Sequence, residues 1–116
     1  EESSAHANFK STIVETPEGG TQLTLKELAP VRLIKNNFYN QLQELYKSCP
    51  SSEELKEFLG RARAKRGMFE GDLEDGELEI GQIAGVIHSV ETVQTIFNHL
   101  LEEFEAAKKQ TTTLVF

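Results

Sequence analysis

The sequence has little cysteine, no long apolar run, and fewer basic than acidic residues. Cys49 is the only cysteine among 116 residues, so no internal disulfide can form and a reducing compartment is expected. No apolar run approaches the ~20 residues that a membrane-spanning helix needs, and no charged-then-apolar leader opens the chain. These absences together predict a cytoplasmic protein.

The charge balance narrows the classes of partner. Twelve Lys and Arg stand against nineteen Asp and Glu, which gives a net charge of −7. Phosphate attraction needs an excess of basic residues, so we expect neither nucleic-acid nor membrane binding. Length and a 38% hydrophobic share fit one domain with a modest core. Because the chain opens on Glu1 and not on methionine, we expect it to derive from something longer.

Residue patterns for catalysis or metal binding are missing as well. The three histidines, His6, His88 and His99, lie too far apart in sequence for common zinc-ligand spacings. The acidic run over residues 70–79 lacks the residue order of an EF-hand loop. No Gly-x-Ser-x-Gly elbow occurs, and no histidine lies close to Cys49 in sequence. The residues therefore predict no metal site and no catalytic nucleophile.

Hydrophobic periodicity predicts a mostly helical α+β fold with two short strands. A first helix, capped by Ser3 or Ser4, would carry Phe9 on its apolar side. Residues 21–25 and 30–34 alternate as strands do and could pair. Asn36 or Asn37 would cap a second helix. The predicted tail over residues 111–116 is β-prone.

Two further helices follow from local signals. Ser51 and Glu54 form a capping box before a third helix. A long amphipathic helix is predicted over residues 91–109. Its apolar stripe, expected to be buried, consists of Val93, Ile96, Phe97, Leu100, Leu101 and Phe104.

The segment over residues 68–87 carries the strongest local signal. We predict a helix over residues 78–88, in which Gly81 and Gly85 lie four residues apart. Each glycine in a helix interior costs about 1 kcal/mol relative to alanine, so a neighbouring element or a ligand is expected to approach that backbone closely. Gln82 offers both a donor and an acceptor to such a ligand.

A basic run over residues 61–66 precedes the acidic run over residues 70–79. The basic side chains could bind a phosphate of a nucleotide or of an acyl-carrier partner, because arginine presents a forked array of donors. The alternative is mutual neutralisation of the two runs on a solvated face, and the adjacent acidic residues favour it.

Residues 2–10, 25–36, 67–72 and 77–85 carry a resemblance to a known family. The last of these stretches includes Gly81-Gln82-Ile83-Ala84-Gly85. In these stretches the chain resembles the FMN-dependent nitronate monooxygenase (2-nitropropane dioxygenase) family, which includes the flavin-type enoyl-acyl-carrier-protein reductases. The likeness extends over most of the sequence, to about Lys109.

The resemblance implies that this chain is the C-terminal part of a TIM-barrel (β/α)8 flavoprotein. It implies four parts: the end of a barrel connection over residues 1–10, a small inserted lid-like domain over 11–76, a closing helical segment over 77–109, and a tail over 110–116. A complete barrel takes about 250 residues, so the isolated chain is expected to be inactive and to bind no cofactor tightly.

The resemblance also implies a site and its cofactors. Gly81, Gln82 and Gly85 would lie near the flavin and substrate pocket, with FMN as cofactor and NAD(P)H as reductant in the parent protein. His6 would serve positioning or packing and not act as a base. The expected partners are the rest of the barrel, or a second copy through an exposed apolar face. The alternative is a free-standing helical interaction or dimerisation module without catalysis.

Overall fold

A computed structural model describes residues 1–112 of the chain. The chain divides into two compact units. The larger unit is Ser4–Ser89, and the smaller one combines Glu1–Ser3 with the chain from Val90 onward. Within the described residues, no helix has both the length and the apolar character needed to cross a membrane.

The larger unit contains a two-stranded antiparallel sheet. Strand β1 is Thr21–Thr24 and strand β2 is Val31–Ile34. In their register Thr21 pairs with Ile34 and Thr24 with Val31. An isolated bridge between Leu33 and Glu79 continues the pairing on the other side of β2. The prediction of two short paired strands is confirmed.

Four α-helices and one short 3₁₀ helix complete this unit. They are α1 (Ala7–Glu15), α2 (Asn37–Tyr46), α3 (Ser52–Leu59), α4 (Arg63–Met68) and the 3₁₀ helix (Gln82–Val86). The predicted caps of the second and third helices are confirmed: the Asn36 side chain accepts from the Tyr39 N–H, and Ser51 with Glu54 forms the capping box.

The start of α1 differs from the prediction. His6, and not Ser3 or Ser4, is the N-cap, because its Nδ1 accepts a hydrogen bond of 3.1 Å from the Asn8 N–H. Phe9 is buried on this helix, as predicted. The ring nitrogen of a histidine can accept from the unpaired N–H groups of the first helical turn, as a serine hydroxyl usually does. The prediction considered only the common N-cap residues Ser, Thr, Asp and Asn, and so it did not include His6.

Two apolar clusters form the core of the Ser4–Ser89 unit. One lies between the sheet, α2 and α3, and its fully or almost fully buried members are Leu25, Leu33, Phe38, Leu42 and Leu55. The other joins α1 to the end of β2 and the chain after α4, and its buried members are Phe9, Ile34 and Leu78. Consecutive residues Leu33 and Ile34 of β2 thus serve different clusters, as alternating strand side chains can.

The helix predicted over residues 78–88 is wrong. The Ile80 N–H donates to the Arg32 carbonyl at 3.0 Å, so this stretch is extended along β2 before the 3₁₀ helix begins. Gly81, its N-cap, is extended with φ −70° and ψ 164°. Two weakly helix-forming glycines favour that outcome once the strand offers pairing partners.

The smaller unit contains one long helix, α5, over Val93–Thr112. The Glu2 carboxylate accepts a hydrogen bond from the Val93 N–H at 3.0 Å at its start. The predicted helix is confirmed, but the predicted burial of its stripe is wrong: no described residue of α5 is buried, and the stripe residues are 49–61% exposed. Thr111 and Thr112 are helical, whereas residues 113–116 of the predicted tail lie outside the described residues.

Candidate functional site

The predicted site residues lie at the start and within the 3₁₀ helix of the Ser4–Ser89 unit. Buried Ala84 anchors this helix, which packs against α1 and β1. Gln82 is exposed at its first position. The three residues Gly81, Gln82 and Gly85 are therefore brought close together, although not on the α-helix that the spacing predicted.

The two glycines of this element have different surroundings. A Cβ atom at Gly85 would lie 3.0 Å from the Glu18 Cα and 3.3 Å from the Pro17 carbonyl oxygen. A Cβ atom at Gly81 would meet only the Ile83 side chain, at 3.9 Å. Gly85 therefore makes room for the turn after α1, whereas the space over Gly81 is open to a ligand.

Two cavities flank this element. One, of about 340 Å³, is lined by Gln82, Gly85, Glu18 and Arg32 among others. The other, of about 370 Å³, is lined by Gly81, Glu79 and the same Arg32. The volume of the first reaches the lower end of the range for small-molecule sites, whereas the second is shallow and wide open to solvent. Sequence reasoning missed Arg32, whose signal is a lone arginine inside an apolar strand.

The acidic loop before the site is held by the side chain of the α2 N-cap residue and by a side chain of α4. The Asn36 amide donates to the carbonyls of Leu73 and Gly76 at 2.9 and 2.8 Å. The Arg63 guanidinium donates to the Asp75 carbonyl at 3.0 Å and lies 4.7 Å from the centre of the Phe38 ring. These contacts fix the chain that leads into the bridge with β2.

Most of the basic run is engaged inside this unit. Arg66 forms an ion pair with Asp72, and Lys65 forms one with Glu70 at 3.0 Å. The pKa of Asp72 is lowered mainly by the hydrogen bond that its carboxylate accepts from the Asp75 N–H, and further by the neighbouring Arg66. With Arg63 also engaged, these contacts favour neutralisation of the two runs over a phosphate site there.

His6 links α1 to the acidic loop. Its backbone N–H donates to the Met68 carbonyl at 2.8 Å, and its ring lies directly against Gly71. Nδ1 is already occupied by the Asn8 N–H. This geometry supports a packing role. In the described part of the chain, no group of three or more His, Cys, Asp or Glu side chains is placed to hold a metal ion.

Glu77 is the most buried acidic residue, with 6% of its surface exposed. Burial raises its pKa to about 7; the nearby Glu79 adds to the increase, and Arg63 opposes it. Its backbone N–H donates to the Arg63 carbonyl at 3.1 Å, so the residue lies in a fixed position between α4 and β2. From the sequence, Glu77 was recognised only as one acidic residue of the run over residues 70–79.

A raised pKa of Glu77 predicts a pH-dependent stability. A carboxyl group whose folded-state pKa exceeds its unfolded value of 4.5 contributes stability below pH 4.5 and loses it as the pH rises through about 7. The unfolding free energy of Glu77→Gln, relative to that of the wild type, should therefore rise by roughly 2 kcal/mol between pH 4 and pH 8, after allowance for solvent screening. Urea unfolding of both proteins at several pH values measures this difference in unfolding free energy.

The exposed Glu74 on the same loop supplies the matched control. Glu74→Gln removes the same unit of charge from a solvent-exposed position and should change the unfolding free energy by less than about 0.5 kcal/mol. If the Glu77→Gln curve instead runs parallel to the wild-type curve from pH 4 to 8, the raised pKa of Glu77 is contradicted.

Comparison with known proteins gives one kind of match. No protein-family model matches the chain, and no curated protein matches it. FabK from Thermotoga maritima is similar over 96% of this chain and 35% of its own, with 27% identity and a TM-score of 0.79. A point mutant of that FabK is similar over 98% and 33%, with 26% identity and a TM-score of 0.77.

The chain is similar to about one third of FabK. The similarity takes in both units of the described structure, since it covers nearly all of the chain. The mostly helical α+β fold with two strands is thereby matched to part of a larger protein. The identity and TM-score agree with the family resemblance drawn from the sequence, at the level of a fragment.

Proposed function

We propose that this chain forms part of an FMN-dependent NAD(P)H oxidoreductase of the nitronate monooxygenase or enoyl-acyl-carrier-protein reductase type. The observation that carries the proposal is the similarity to FabK over 96–98% of this chain and only 33–35% of FabK. The chain contributes a lid and one wall of the flavin and substrate pocket, and is inactive alone. The whole protein is proposed to be cytoplasmic.

In this proposal Gly81 and Gln82 contact the cofactor or the substrate. Support comes from the open space over Gly81 and from the exposed Gln82 amide at a cavity of about 340 Å³. Gly85 acts indirectly, because its close contact with the turn at Glu18 sets the position of the 3₁₀ helix. In this proposal these residues would contact one edge of a flavin, and the remaining contacts would come from the rest of the protein.

The chemistry of the whole protein would come from its flavin. When bound, FMN would accept a hydride from NAD(P)H and pass the electron pair to an enoyl thioester or to oxygen, whereas a nitronate would itself be the electron donor to the flavin. The residues of this chain would orient the ligand: Gln82 through one donor and one acceptor, and Gly81 by allowing close approach of its backbone. None of them is assigned a proton-transfer role.

The first experiment is to isolate the native polypeptide from its source cells and to record its intact mass and absorbance spectrum together. We expect a chain of at least about 250 residues, the size of a complete barrel, with a flavin absorbance band. A colourless native chain of only 116 residues would overturn the proposal. Recombinant expression of the 116 residues should give a colourless product.

Substitution of Gln82 tests its role in the flavin-bearing protein. Gln82→Ala should weaken flavin or substrate binding about tenfold, the effect of one lost hydrogen bond of roughly 1.4 kcal/mol. Gln41→Ala, at an exposed position of α2, is the matched control and should bind as the wild type does. Equal flavin or substrate affinities of the two variants would show that Gln82 does not contact the ligand.

One observation favours a second candidate function. The apolar stripe of α5 is about half exposed or more along its length, as expected of a helix that binds a partner helix or a second copy. Such a module would need no flavin. Sedimentation equilibrium of the native chain separates the candidates: a colourless, concentration-dependent dimer supports the module, and a flavin-bearing chain of barrel size supports the oxidoreductase.

A further inference from the structure

Arg32 is held in place by only one of its three guanidinium nitrogens. On β2 its Nη1 donates to the carbonyl oxygen and to the hydroxyl of Thr21, both at 3.2 Å. Thr21 is buried on the neighbouring strand, so the anchor point is shielded from solvent. Among residues 1–112, no other side-chain hydrogen bond or ion pair of Arg32 is formed, which leaves Nε and Nη2 as free donors.

The free donors of Arg32 belong to a side chain that lines two cavities open to a ligand. Its side chain is half-buried and lines both the cavity of about 340 Å³ beside Gln82 and the cavity of about 370 Å³ beside Gly81. Half-buried guanidinium donors need water or a ligand as acceptor. The Nε and Nη2 pair of an arginine matches two oxygens of one phosphate or carboxylate group.

We propose that Arg32 is the anion-binding residue of a ligand site at the junction of these two cavities, and that its ligand carries a phosphate or carboxylate group. Gln82 supplies a neutral hydrogen bond on one side of the junction. The open backbone of Gly81 lies on the other side. Arg32 differs in this from Lys65 and Arg66, whose charges are paired with carboxylates of the acidic loop.

Two carboxylates limit the affinity of the site. Glu18 lines the first cavity and Glu79 lines the second, and neither forms an ion pair with Arg32 in the described residues. Each of them repels a bound anion, and the repulsion weakens with added salt. Removing the charge of exposed Glu18 should therefore strengthen anion binding, by about threefold at low ionic strength.

The proposal shares Gln82 and Gly81 with the proposed flavin pocket but requires no flavin, so the two can fail separately. The test uses the 116-residue chain and nitrogen-15 NMR, with the Arg32 Nε–H signal as the probe. Inorganic phosphate is titrated at low ionic strength, and acetate is titrated in a second arm. We expect a saturable shift of the Arg32 signal, and the anion that binds more tightly identifies the class of group.

Arg32→Lys keeps the positive charge and removes the paired Nε and Nη2 donors, so it should weaken anion binding at least tenfold. The affinity is measured from the shifts of the Gly81 and Gln82 amide signals. Arg61→Lys, at an exposed position outside both cavities, should bind as the wild type does. If the Arg32 variant fails to fold, Glu18→Gln provides the test through tighter binding. Shifts that do not saturate, or equal weakening by the two arginine variants, would mean an adventitious ion only and would overturn the proposal.

Discussion

Gly76→Ala should unfold most of the Ser4–Ser89 unit, with a loss of more than about 3 kcal/mol in unfolding free energy. A Cβ atom at Gly76 would overlap the Asp72 carbonyl oxygen and the Gly67 Cα, and would lie 2.6 Å from the Gly67 nitrogen. These are backbone atoms, which cannot turn aside as a flexible side chain does. Urea denaturation followed by circular dichroism measures the loss.

The companion substitution Gly81→Ala is the control for the loss of backbone freedom alone. Gly81 has an extended backbone that alanine adopts readily, and only the Ile83 side chain lies near its Cβ position. This variant should match the wild type or gain up to about 1 kcal/mol, because alanine restricts the unfolded chain. A Gly76→Ala variant as stable as Gly81→Ala would show that the chain around Gly67 and Gly76 is not closely packed.

Phe38→Ala should cost about 3–5 kcal/mol, the usual range for loss of a buried phenylalanine. The Phe38 ring is fully buried, stacks on Phe58 with 5.5 Å between ring centres, and lies under the Arg63 guanidinium. The substitution leaves a cavity between α2 and α3 and removes a partner of the arginine. The shift of the urea midpoint at pH 7 measures the cost.

Phe97→Ala makes the same change on the exposed stripe of α5, where the ring is 57% exposed. It should alter the unfolding free energy by less than about 0.5 kcal/mol, as surface substitutions do. The same variant should weaken any association through the stripe. Equal losses for Phe38→Ala and Phe97→Ala would contradict the core assignment, and would mean that the stripe is covered in the isolated chain.

Local signals in the sequence were sufficient for several elements. The alternation over residues 21–25 and 30–34 predicted the two strands, and the Ser51 capping box predicted the start of α3. These features depend on neighbours within a few residues, which the sequence displays directly. The family resemblance supplied the larger frame, namely that the chain matches part of a longer protein.

Long-range contacts explain what could not be predicted. The extended form of residues 77–80 depends on hydrogen bonding to β2, more than forty residues earlier in the chain. For α5, periodicity identified the apolar stripe but contained no information on what covers it.

The candidate site was predicted in part. Two glycines identified the region around Gln82, because glycine spacing is a local signal. The different roles of Gly81 and Gly85 depend on the turn at Glu18, which only the tertiary structure brings near. Arg32 and Glu77 were missed for the same reason: the anchor on Thr21 and the burial between α4 and β2 are tertiary.

The hydrogen bond between Glu2 and Val93 joins residues 91 positions apart. Closing a flexible loop of that length costs about 4 kcal/mol of chain entropy, more than one surface hydrogen bond returns. The contact can therefore persist only while the chain between its ends is already folded and its end-to-end freedom is small. Unfolding of Ser4–Ser89 should consequently release this hydrogen bond, so that the protection of the Val93 amide against exchange is lost no later than the larger unit unfolds.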